Sequence, residues 1–109
     1  MNPARAATWL LAAALAPVAW AADAEQVALG RRLFTQEAQP SCTLCHTLQD
    51  AGSAGAVGPV LDELKPDARR VATALRNGIG AMPSFAEKLS EAQIQALAAY
   101  VSQVSGGAP

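Results

Sequence analysis

Histidine, cysteine, aromatic residues and charge are all scarce in this chain, and each shortage excludes something. Eight Lys and Arg stand against nine Asp and Glu, a net charge of -1, so the basic excess that a phosphate backbone demands is missing and no nucleic-acid partner is expected. At 109 residues there is room for one small domain, which excludes a multidomain enzyme. No alternating run is long enough for a strand, and no apolar run reaches the roughly 20 residues that a membrane span requires.

The first residues are a targeting segment rather than part of a fold. Arg5 supplies a positive start, Ala6 to Ala16 form an apolar run, and Pro17 breaks it before the small-residue stretch Ala19-Trp20-Ala21-Ala22. This reads as a secretory signal peptide over residues 1–21, with export to the periplasm. A second site of the same form lies at Ala22 and Ala24, and the competing reading is a membrane anchor. Cleavage after Ala21 leaves 88 residues and removes both tryptophans, leaving Phe34, Phe85 and Tyr100 as the aromatics and Met82 as the methionine. So small a domain is marginal and lacks the large rings that usually fill a core. Something other than side chains is expected to fill it.

Beyond the signal, residues 22–109 read as one all-α domain with its ordered core at about 25–105. Val27, Gly30, Leu33 and Phe34 fall at helical spacing over residues 24–36, with a glycine in mid-face that costs up to about 1 kcal/mol against alanine. Asp67 caps a second helix over 67–77, with Val71, Ala74 and Leu75 as its buried stripe. Ser90 and Gln93 make a capping-box pattern for a third, which carries Ile94, Leu97, Ala98, Val101 and Val104. Glycine-containing loops over 47–59 and 77–84 join them.

The strongest chemical signal is Cys42-Thr43-Leu44-Cys45-His46, a C-x-x-C-H pattern. Two thiols in one turn can both form thioethers with the vinyl groups of a porphyrin, while the adjacent imidazole turns to the iron. Three other readings compete. A redox dithiol belongs beside βαβ units, of which there is no sign. A structural zinc site needs four ligands, and two Cys and one His fall short unless carboxylates join them. A disulfide would close a very short loop and leave His46 without a role. A six-coordinate haem needs a second axial ligand; with no second histidine and both cysteines spent on thioethers, Met82 in Gly78-Ile79-Gly80-Ala81-Met82-Pro83 is the candidate. Its competing role is that of a core gap-filler.

These residues, taken in order, resemble class I c-type cytochromes: Gly30-x-x-x-Phe34, Cys42-x-x-Cys45-His46, Gly58-Pro59-x-Leu61, the Met82 loop, and Leu97-x-x-Tyr100. The resemblance spans about Glu25 to Ser105. It implies a compact cytochrome c fold of about three to five helices around one covalently attached haem c, with the last helix crossing Gly30 near Leu97 and Tyr100. It also implies that the Pro59 carbonyl accepts a hydrogen bond from the far ring nitrogen of His46, fixing its tautomer; an ordinary turn proline is the alternative. The site residues are then Cys42, Cys45 and Pro59 toward the haem and His46 and Met82 on the iron.

With both axial positions filled by protein, electron transfer is favoured over substrate activation. The expected role is a soluble periplasmic electron carrier, not an enzyme on its own, exchanging electrons with an exported dehydrogenase or a respiratory-chain component. The alternative is the electron-accepting haem subunit of an exported dehydrogenase, since the stretch from Val57 to Leu64 weakly resembles cytochromes linked to sulfite oxidation. A haem sensor or peroxidase would require Met82 to leave the iron. Arg31-Arg32 and Arg69-Arg70 read as solvated surface charge, with a small docking patch as the competing role. The expected partner contact is an apolar rim near Ala54–Val57 and Ile79–Phe85.

Overall fold

The computed structural model describes residue 4, residues 7–10 and residues 18–109; most of the expected signal segment, 1–21, lies outside the described residues. Among the described residues four α-helices follow one another: α1 (Val18–Arg32), α2 (Leu61–Leu64), α3 (Ala68–Asn77) and α4 (Glu91–Ser105). No helix among the described residues is long and apolar enough to cross a membrane. The backbone of α1 runs through the expected cleavage position after Ala21. At its other end the helix widens into a π-turn over Leu33–Glu37, and Ala38 N–H closes it on the Leu33 carbonyl at 2.9 Å.

The central element is α4. Ile94, Ala96, Leu97, Ala98, Tyr100 and Val101 are all buried, because α1 packs on one side of the helix and α3 on another. At the α1–α4 crossing Gly30 is indispensable: a Cβ there would lie 2.5 Å from the Tyr100 Cβ and closer still to the Ala96 carbonyl oxygen. The partners at the crossing are thus Ala96 and Tyr100, while Leu97, also expected there, turns to a cavity described below. Phe34, one turn beyond Gly30, meets the Tyr100 ring edge-on with centroids 5.9 Å apart.

Helix ends are set locally. The Asp67 side chain accepts from Arg70 N–H at 2.7 Å at the start of α3. Ser90 and Gln93 complete the expected box on α4, with Gln93 N–H donating to Ser90 Oγ at 3.1 Å and Ser90 N–H to Gln93 Oε1 at 2.9 Å. Arg76 of α3 reaches Glu91 of α4, its Nε lying 3.1 and 3.2 Å from the two carboxylate oxygens. That hydrogen bond holds the exposed Glu91 carboxyl below the usual carboxylate range.

Three features were not expected from the residue pattern. Strands β1 (Thr47–Leu48) and β2 (Ser53–Ala54) form a two-residue antiparallel ladder, too short for alternation to register. The single turn of α2 is equally short, and ends on Lys65 in the left-handed region at φ 48°. Phe85, expected at an exposed rim, is 3% exposed: its N–H bonds the Leu75 carbonyl at 2.7 Å and draws the ring into the core.

Candidate haem site

The pentad Cys42 to His46 folds as one tight turn. A 3₁₀ turn over Cys42–Leu44 continues into hydrogen bonds from Cys45 N–H and His46 N–H to the Cys42 carbonyl, at 3.3 and 3.0 Å. Both cysteines are unpaired and half-buried. Burial pushes the Cys42 thiol up to about 11; a backbone hydrogen bond opposes this and the neighbouring Cys45 adds to it.

The loop after β2 folds back over this turn and fixes the imidazole. Gly58 N–H donates to the Cys45 carbonyl at 2.7 Å, and Thr47 Oγ1 to the Gly55 carbonyl at 3.0 Å. His46 Nδ1 lies 2.8 Å from the Pro59 carbonyl oxygen. A carbonyl only accepts, so Nδ1 carries the proton and, of the two neutral tautomers, the contact selects the one whose lone pair is on Nε2. The Cε1 side of the ring abuts Gly58, where a Cβ would come within 2.6 Å of His46 Cε1 and 2.9 Å of Nδ1. Sequence reasoning took Gly58 only as a family marker; its place directly before Pro59 is the signal for this role.

Met82 stands at the end of a tight turn. Ile79 and Met82 exchange backbone hydrogen bonds of 3.0 and 2.9 Å, with Gly78 and Gly80 at positive φ. The buried Phe85 anchors the far side of the loop, and Met82 itself is half-buried against the core.

These segments meet around a cavity of about 510 Å³. Cys42, His46, Pro59 and Met82 all line it; Cys45 lies on the same turn but outside the lining. The walls are chiefly apolar, with Phe34, Leu61, Leu75, Leu97 and Val101 among them. Val71 and Ala74, expected as buried stripe residues of α3, face this cavity and are only half-buried, whereas Ala72 and Leu75 are covered by protein. Among the described residues no group of three or more His, Cys, Asp or Glu is placed to hold a metal ion. The donors are an imidazole with an available Nε2, a thioether sulfur and a thiol, set in apolar walls. This set fits a flat, largely apolar macrocycle with a central iron. Asp67, Arg69 and Arg70 also line the cavity, and nothing in the residue pattern marked them for it.

A mostly helical chain with these residues in this order is a class I c-type cytochrome. By sequence it belongs to the family described as cytochrome c oxidase, cbb3-type, subunit III, whose model matches residues 25–101. It is similar to the cbb3-type cytochrome c oxidase subunit CcoP of Azospirillum sp. (strain B510), with 34% identity over 97 residues, 80% of this chain. The chain spans 31% of that relative's length. Among solved structures it is similar to the c-type cytochrome SorU from Sinorhizobium meliloti at 55% identity and a TM-score of 0.74, covering 78% of this chain and 97% of that one. The chain is thus an electron carrier of the c-type class rather than a catalyst, and haem c with its iron is the prosthetic group of that class.

Proposed function

We propose that residues 22–109, freed of the signal segment 1–21, act as a periplasmic carrier of single electrons built on one haem c, with thioethers at Cys42 and Cys45 and with His46 and Met82 as axial ligands. One observation carries this reading: Cys42, His46 and Met82 line the same apolar cavity. Bound there, the haem supplies a one-electron Fe(III)/Fe(II) couple. His46 keeps its Nδ1 proton on the Pro59 carbonyl and so offers Nε2 in one orientation. The soft, neutral sulfur of Met82 and the apolar walls both disfavour the extra positive charge of the ferric form, which raises the potential. With His46 and Met82 both holding the iron, no coordination place would be left for a substrate.

Met82→Ala is the test. In the haem-loaded protein it should lower the reduction potential and abolish the sulfur-ligand signal in the visible spectrum. An unchanged potential with an unchanged axial signal refutes the ligand assignment.

A second reading is a dedicated electron acceptor for an exported dehydrogenase, such as a sulfite dehydrogenase; the wording of Val57 to Leu64 favours it, while the likeness to an oxidase subunit points to a respiratory-chain partner. Gel filtration of an untreated periplasmic extract, followed by haem absorbance, separates the two. A free carrier elutes at the mass of the mature chain, and a dedicated subunit elutes with its catalytic partner.

A further inference from the structure

The Met82 loop is fastened to the far end of α3 by more than its own turn. A helix leaves its last four carbonyls without partners inside itself. Three of those at the end of α3 are met by the loop: Gly78 N–H donates to the Ala74 carbonyl at 2.8 Å, Phe85 N–H to the Leu75 carbonyl at 2.7 Å, and the Ser84 hydroxyl to the Arg76 carbonyl at 2.5 Å. The same Ser84 oxygen accepts from Ala86 N–H at 3.2 Å, so one hydroxyl joins the helix end to the chain leaving Met82. The two segments touch backbone to backbone between these bonds, where a Cβ on Gly78 would lie 2.8 Å from the Met82 carbonyl oxygen and 2.9 Å from Ser84 N. The anchor is fixed in turn, since the Arg76 guanidinium is held by Glu91 of α4. From Gly78 to Phe85, Ser84 is the one residue with a hydroxyl.

We propose that Ser84 is a positioning residue for Met82: its hydroxyl staples the loop to the end of α3 and so keeps the thioether on the cavity wall; this rests on the axial-ligand reading above. Met82 lies two residues before the staple and is joined to it through Pro83, whose fixed φ passes the constraint on instead of absorbing it. For the sulfur to leave the cavity the loop must swing outward, which breaks the Ser84 bond and hands the Arg76 carbonyl to water. A neutral hydrogen bond of this kind shifts such an equilibrium about 2- to 10-fold. Phe85 holds the loop by burial of its ring, whereas Ser84, being exposed, contributes through the hydroxyl alone. Its removal therefore alters the loop and leaves the core untouched.

The test is imidazole binding to the haem-loaded ferric protein. Imidazole takes its place on the iron only when the Met82 sulfur has left it, one ligand replacing another with no electron transferred. Its apparent affinity therefore scales with the fraction of chains whose loop is open. Ser84→Ala should tighten apparent imidazole binding about 2- to 10-fold, with haem content and the sulfur-ligand signal in the absence of imidazole unchanged. Ser84→Thr, which keeps the hydroxyl, should bind imidazole as the parent does. Ser90→Ala, which removes the cap of α4 and lowers the urea midpoint from another helix, should also leave the affinity at the parent's value. An unaltered affinity in Ser84→Ala overturns the proposal. So does an equal gain in Ser90→Ala, which would trace the effect to a general loosening of the fold. A parent that shows no sulfur-ligand signal overturns the axial-ligand reading itself, and the role of Ser84 with it.

Discussion

Gly58 and His46 illustrate how much one missing methyl can decide. The imidazole occupies the space a Gly58 Cβ would fill, so Gly58→Ala must push the ring away from the Pro59 carbonyl. Losing the partner that orients a ligating histidine typically weakens metal affinity about 10–100-fold. The variant should therefore lose haem iron ligation more readily under denaturant, seen as a lower midpoint of the visible-band transition, and an unaltered midpoint would mean that the ring has room to spare. At this scale the candidate site was legible in part, since Cys42, Cys45 and His46 are neighbours in sequence and Met82 is the one methionine besides Met1. Arg69 and Arg70 were not. A charged residue near a helix start looks like solvated surface unless one knows that the helix forms the wall of a cavity.

Elements are joined here by close approach more than by large side chains. α1 and α4 cross at Gly30 on Ala96 and Tyr100, and the obstacle to a larger residue includes a backbone carbonyl, which cannot rotate away. Gly30→Ala would gain up to about 1 kcal/mol in helix propensity but forces the helices apart, and overpacking of this kind costs about 1–3 kcal/mol or more. The net result should be a lower urea midpoint with the helix content retained. The three long helices could be read from apolar spacing and capping residues. The β1–β2 ladder and α2 could not, because two or four residues contain no full period. Phe85 was misplaced on the rim for a related reason: the backbone bond to Leu75 that draws it inward joins two segments whose pairing no local pattern announces.

For the whole molecule, one buried phenol ties the fold to pH. The Tyr100 hydroxyl donates to Asp50 Oδ2 at 2.6 Å, joining α4 to the turn after β1. Burial, the hydrogen bond to Asp50 and the carboxylate's charge, in that order, push the phenol well above its ordinary value, while Arg31 opposes them. An unfolded tyrosine ionises near pH ~10. Below that value the folded state keeps the full benefit of the neutral phenol, and above it the unfolded chain ionises first, so stability is lost as pH rises. Tyr100→Phe should cost roughly 1–2 kcal/mol at pH 7, low in the range for hydrogen bonds to charged groups because Asp50 is partly exposed. The variant's stability should then decline less steeply than the parent's between pH 9 and 11, measured by urea midpoints, and parallel declines would show that Tyr100 does not govern the alkaline limb.

The crossing at Gly30 also sets a clock. Its two sides are about 70 residues apart, so a chain made from its N-terminus waits roughly 4–14 s at ordinary synthesis rates before α1 has anything to pack against. Until α4 exists the core cannot close, because about half of the buried side chains are its own. The part of the fold that α4 supplies is therefore the last to close, whatever forms locally before it.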